Sequence, residues 1–143
     1  MKVKLLLRAA AFLIFIHLLG HAAGHMGWKH PKDQKMQEVV NTMLDYHAKF
    51  MGASQSMGDY FNGYSLSLFL VFGLSIWVLW WVAGLTSIQP KIVKGILLPF
   101  ALLYLGLGVI EWVYFFPFAA ILSMTAGICI LVALLSLPAE KKI

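Results

Sequence analysis

The chain has 143 residues, of which 61% are hydrophobic and only 12% charged, with one cysteine and a formal net charge of +5. A soluble domain is about half apolar and about a quarter charged, so this composition excludes an ordinary water-soluble globule, a disordered tail and a collagen-like fibre. Cys129 has no second cysteine to pair with, which excludes a disulfide scaffold, and it reads as a small apolar side chain in an apolar run.

A bilayer core is about 30 Å thick and takes roughly 20 apolar residues in a helix to cross. Four stretches meet that length: about 5–27, 63–86, 92–114 and 118–137. Backbone polar groups in lipid must be paired internally, so these stretches are expected as helices, and no barrel-type alternation is present. The expected fold class is an all-α membrane protein, a four-transmembrane-helix bundle forming a single domain over 1–143.

The first stretch carries Lys2, Lys4 and Arg8 ahead of the run Leu5–Leu19, with Ala22 and Gly24 spaced like a cleavage site. That layout also fits a cleaved secretory signal, although histidines just past the centre of the run are unusual for one. Along this stretch His17, His21 and His25 stand four apart. On a helix they advance about 40° per step and line one face. Gly20 and Gly24 form a small-xxx-small pair, which is expected to admit a neighbouring helix closely.

Between the first two spans, Met36, Val39, Val40, Met43, Leu44, His47, Phe50 and Met51 recur at helical spacing. They predict an amphipathic helix over about 33–51 in the first, outer loop, started by Pro31 and Asp33 and stopped by Gly52. Its polar face is nearly neutral, which suits a cap over the bundle better than a lipid-bound helix. Ser56 and Asp59 have capping-box spacing at the entry to the second span. Gln89-Pro90 and Phe116-Pro117 make the two remaining loops short, so the spans they join should run antiparallel.

Lysine and arginine placement orients the chain. Lys2, Lys4 and Arg8, then Lys91 and Lys94, then Lys141 and Lys142 share one side if there are four spans. Both termini are therefore expected in the cytoplasm and the protein in the cell (inner) membrane. The excess positive charge is assigned to orientation and anionic lipid contact, not to nucleic acid. Trp28, Trp77, Trp80, Trp81, Trp112 and Tyr114 mark the expected interfaces.

Ionisable groups within a membrane are costly and usually face protein or water. Glu111 is the one acid inside a later apolar stretch. Its height on the third span, roughly 24 Å past Gly95, places it in the outer half. Asp59 and Asn62 open the second span at a similar height, with Tyr60, Tyr64 and Ser65 nearby and His47 on the covering helix. The expected site is an outer-leaflet pocket of His17, His21, Asp59 and Glu111, bordered by Asn62, Tyr64 and His47. Glu111 and Asp59 are the candidate acids or bases, and His17, His21 and His25 the candidate metal ligands. An i, i+4 histidine pair needs a third ligand from elsewhere, and no cofactor motif accompanies it; a metal ion fits better than haem. Against these stand plainer roles: a capping Asp59, a solvated Glu111, and histidines that only bond across a helix pair.

The segment His17–Gly24, with Phe50-Met-Gly-Ala-Ser-Gln-Ser-Met-Gly-Asp-Tyr-Phe-Asn-Gly-Tyr64, resembles a family of small bacterial four-helix membrane proteins of unknown function, whose first helix carries a His-x-x-Gly-His pattern. The resemblance implies that His17, Gly20, His21, Gly24, Asp59 and Gly63 belong together in space, and it implies no activity. The layout is also loosely similar to four-helix sterol-isomerase-like membrane proteins, without a shared motif. Three functions remain open: a binding or accessory protein for a metal ion or small lipophilic ligand, a membrane enzyme doing acid–base chemistry on a lipid-like substrate, and a proton or ion conductor. Beyond the bilayer itself, the partners in view are that ligand, further copies of the chain, or a larger membrane complex.

Overall fold

The computed structural model describes residues 2–138; Lys141 and Lys142, used above for orientation, lie outside them. The elements in chain order are α1 (Lys2–Gly27), α2 (Gln34–Asp45), β1 (His47–Phe50), β2 (Ala53–Ser56), α3 (Met57–Leu85), α4 (Pro90–Tyr114) and α5 (Pro117–Leu135). The fold is all-α except for one short hairpin, and α1, α3, α4 and α5 are each long and apolar enough to cross a membrane. The chain divides into two compact units: one takes the chain up to His17 and from Phe72 onward, the other takes Leu18–Val71. We call them the core unit and the hairpin unit.

The core unit is built from small and branched residues at helical spacing. Leu7, Ala10, Ala11, Ile14 and His17 are the buried stripe of α1. Val93, Leu97, Ala101, Tyr104, Gly108 and Glu111 form the corresponding stripe of α4. On α5 the stripe includes Ala119, Ala120, Ser123, Ala126, Gly127 and Ile130. Small residues let α4 and α5 come together closely. A Cβ on Gly127 would lie 2.9 Å from the backbone nitrogen of Leu105, and one on Gly108 would lie 3.0 Å from that of Met124. Pro90 and Pro117 open α4 and α5 in the first turn, where the missing N–H costs no helix bond. Large apolar side chains such as Leu98, Leu102, Ile121 and Ile128 remain exposed on the other faces. Exposed apolar surface on this scale suits lipid rather than water.

The hairpin unit departs from the expected helix over 33–51. The Asp33 side chain does cap α2, accepting from the backbone N–H of Met36 at 2.9 Å. However, α2 ends at Asp45, and Tyr46 is already extended. His47–Phe50 then pairs antiparallel with Ala53–Ser56, with His47 opposite Ser56 and Phe50 opposite Ala53. Met51 at φ 47° and Gly52 at φ 86° make the two-residue turn. Two successive positive φ values match the twist of a tight hairpin, so Gly52 turns a hairpin and does not end a helix. His47, Phe50 and Met51 are accordingly exposed and not on a buried helical face.

Two other local expectations have different outcomes. Ser56 and Asp59 form the reciprocal cap: Ser56 Oγ accepts from the Asp59 N–H at 3.1 Å, and Asp59 Oδ2 accepts from the Ser56 N–H at 2.8 Å. The small-xxx-small pair does not act as a contact, because a Cβ on Gly20 or Gly24 would meet nothing within 4 Å. The packed side of α1 in this unit is the one carrying His21, His25 and Trp28, and the glycines fall off that side.

Candidate functional site

In the core unit three helices bring polar side chains together inside an apolar bundle. His17 on α1 is 8% exposed, Glu111 on α4 is 7% exposed and Ser123 on α5 is 1% exposed. His17 Nε2 lies 3.5 Å from Glu111 Oε1. His17 Nδ1 and Ser123 Oγ are 3.1 Å apart. When Glu111 is ionised it can only accept; a proton on Nε2 then faces it, and Nδ1 can accept from the Ser123 hydroxyl. Phe72 covers the imidazole, with ring centroids 4.6 Å apart. Glu111 Oε2 is buried with no hydrogen-bond partner among the described residues. Buried carboxylate oxygens are nearly always satisfied, by protein or by ordered water, so Oε2 is free to accept from one further donor.

Tyr104 sits seven residues before Glu111 on the same buried stripe of α4 and is fully enclosed. Ser75 lies beside its hydroxyl. Towards the start of α1, the buried residues Leu7, Ala10, Ala11 and Ile14 are all apolar. The start of α4 matches them with Val93, Leu97 and Ala101.

The order hydroxyl–imidazole–carboxylate is also that of a nucleophile triad. Ser123 is a poor nucleophile in this setting, because it stands mid-helix on α5, where neighbouring N–H groups are committed to helix bonds and cannot hold an oxyanion. What the cluster can do is hold and exchange one proton between His17 and Glu111, and accept a hydrogen bond at Oε2.

In the hairpin unit the other histidines take different partners. His21 Nε2 lies 3.0 Å from the Ser65 carbonyl oxygen and 3.0 Å from its hydroxyl. His25 Nδ1 lies 2.8 Å from the same hydroxyl. The carbonyl fixes the direction: His21 Nε2–H donates, and the Ser65 O–H is free to donate to His25 Nδ1. Phe69 packs edge-on to both imidazoles, at 4.9 and 5.5 Å. One turn further along α1, Trp28 Nε1 donates to Asn62 Oδ1 at 3.2 Å, and the indole packs on Phe61.

Asp59 belongs to a third arrangement. Besides Ser56, its nearest ionisable partner is His47, with Nε2 3.8 Å from Oδ2 across a half-exposed surface. Asp59 also borders a shallow cavity of about 420 Å³ with Gln55, Tyr60, Gly63, Tyr64 and Ser67. Tyr64 is 73% exposed there.

Of the expected pocket, His17 and Glu111 thus come together in the core unit. His21, His25 and Asn62 serve the contact of α1 with α3 in the hairpin unit. Asp59 and His47 form a pair there apart from His21, whose partners are Ser65 and Phe69. Among the described residues no group of three or more His, Cys, Asp and Glu side chains could hold a metal ion, so His17, His21 and His25 do not make a ligand set. Each imidazole is turned instead to a hydroxyl or carboxylate partner.

Three participants lay outside the sequence-based site: Ser123, Phe72 and Phe69. The signal for Ser123 was its place in the small-residue stripe of α5, which marks the face that packs. Compared with known families, curated proteins and solved structures, the chain shows no match.

Proposed function

We propose that the protein is a small integral membrane binding protein whose site is the His17–Glu111–Ser123 cluster, and that its ligand is a small lipophilic molecule with a hydrogen-bond-donating or cationic head. The observation that carries this reading is Glu111 itself: enclosed in the bundle, one oxygen beside His17, the other unfilled. A donor from a ligand would satisfy Oε2, and the ligand's apolar body would be at home among the surrounding helices. His17 tunes the site by sharing the proton.

A second reading, acid–base chemistry on a lipid-like substrate, draws on the same geometry, with Glu111 as acid or base and His17 as its partner. Conduction draws less support, because the buried stripes of α1 and α4 become wholly apolar below Tyr104, and a proton path needs polar groups or water throughout. The location that goes with this proposal is the cell membrane with both termini cytoplasmic. The basic starts of α1 and α4, with Lys2, Lys4, Arg8, Lys91 and Lys94, favour that orientation.

The test is native mass spectrometry of the full chain released from detergent or nanodiscs, with organic extraction of what accompanies it. A stoichiometric lipophilic molecule is expected with the wild type and with Glu38→Gln, and is expected to be lost in Glu111→Gln. No such molecule above a protein-free blank, or equal retention in Glu111→Gln, would overturn the proposal.

A further inference from the structure

A second feature of the core unit lies at the start of α1. Lys2, Lys4, Leu5 and Arg8 line a cavity of about 240 Å³. The Arg8 guanidinium rests over the Trp80 ring of α3, 4.8 Å from its centroid. Trp77 and Trp81 stack beside it on α3, with centroids 6.2 Å apart and planes 6° from parallel. Trp77, Trp80 and Trp81 are all exposed, as is Leu5.

These residues have complementary preferences. Indoles settle at the headgroup level of a bilayer, so the tryptophans set the depth of this end of the unit. Arg8 is held at that depth by its cation–π contact, and Lys2 and Lys4 extend from it along the first turns of α1. Among the described residues, none of Lys2, Lys4 and Arg8 forms an ion pair. The one described carboxylate of the core unit, Glu111, is engaged with His17. Three cations around one cavity, with no counter-charge among the described residues, favour an external anion. The exposed Leu5 and tryptophan faces beside them suit acyl chains.

We propose that Lys2, Lys4, Arg8 and Trp80 form a binding site for the phosphate headgroup of an anionic glycerophospholipid drawn from the surrounding bilayer. Arg8 presents a planar fork to phosphate oxygens, which lysine cannot reproduce. The two lysines supply point charges, and the lipid's chains run down past Leu5. The site is independent of the ligand assigned to Glu111.

The experiment titrates the full chain in neutral detergent with short-chain phosphatidylglycerol, short-chain phosphatidylcholine and inorganic phosphate, following tryptophan fluorescence and native mass spectrometry. Phosphatidylglycerol is expected to saturate a single class of site, weakening as salt rises. Phosphatidylcholine and inorganic phosphate are expected to bind far more weakly. A basic side chain near a membrane surface contributes about 1 kcal/mol, so Arg8→Gln should weaken phosphatidylglycerol binding about fivefold. Arg8→Lys should fall between the two, and Lys35→Gln on α2 should match the wild type. Circular dichroism on each variant confirms that the helices remain. Equal binding of the two lipids, equal binding of inorganic phosphate, or an unchanged affinity in Arg8→Gln would each overturn the assignment.

Discussion

The two units use histidine in opposite ways. The core unit encloses His17 and sets it against a carboxylate and a hydroxyl, in a bundle whose neighbouring positions are alanine, leucine and isoleucine. The hairpin unit leaves His21 and His25 part-exposed and ties both to one serine. An imidazole bonded to a serine at a helix contact fastens that contact and has little else to offer. An imidazole beside a buried carboxylate shares a proton with it, and that pair is costly to bury unless it is used or fully satisfied. The same residue type at the same four-residue spacing on one helix therefore plays two roles, decided by what the neighbouring helices supply.

Substitution separates the two roles. Leaving a buried charged group without its hydrogen-bond partner typically costs about 3 kcal/mol or more. His17→Ala is expected to show a loss of that size in equilibrium unfolding in mixed micelles. His21→Ala, which removes an interhelical hydrogen bond, should lose about 1 kcal/mol. Equal losses at the two positions would dissolve the distinction between the units.

The glycines of the two units also differ in packing. Gly127 abuts the Leu105 backbone, whereas Gly20 faces open space. Overpacking a close contact costs about 1–3 kcal/mol. Gly127→Val should therefore lower the thermal midpoint clearly, and Gly20→Val should leave it nearly unchanged. The smallest expected effect is in the hairpin. Met51 holds a positive φ that an L side chain adopts at a cost. Met51→Gly should relieve about 1 kcal/mol locally, read as slower amide exchange over 47–56 with no change in the core unit.

Much of this was legible in the sequence because apolar length and capping chemistry are local. The four long helices follow from runs of apolar residues, and the Ser56–Asp59 and Asp33 caps follow from residue type at fixed spacing. The hairpin was hidden for a physical reason. His47, Phe50 and Met51 continue the helical phase set by Val40, Met43 and Leu44, while Met-Gly lacks the asparagine or aspartate that usually announces such a turn. The small polar run Ala53–Ser56 also has weak strand propensity. At the site, helix rise gives only a residue's position along its own span. It could not say which way each side chain turns, and that rotation separates His17, which meets Glu111, from His21, which meets Ser65.

His17 and Glu111 are expected to act as one unit. A double-mutant cycle with His17→Ala, Glu111→Ala and the double variant, measured by equilibrium unfolding in the same micelles, tests it most directly. The double variant should lose less than the sum of the single losses, with a coupling of about 1 kcal/mol or more. Losses that add within about 0.5 kcal/mol would contradict it and leave two buried polar side chains that merely lie near one another.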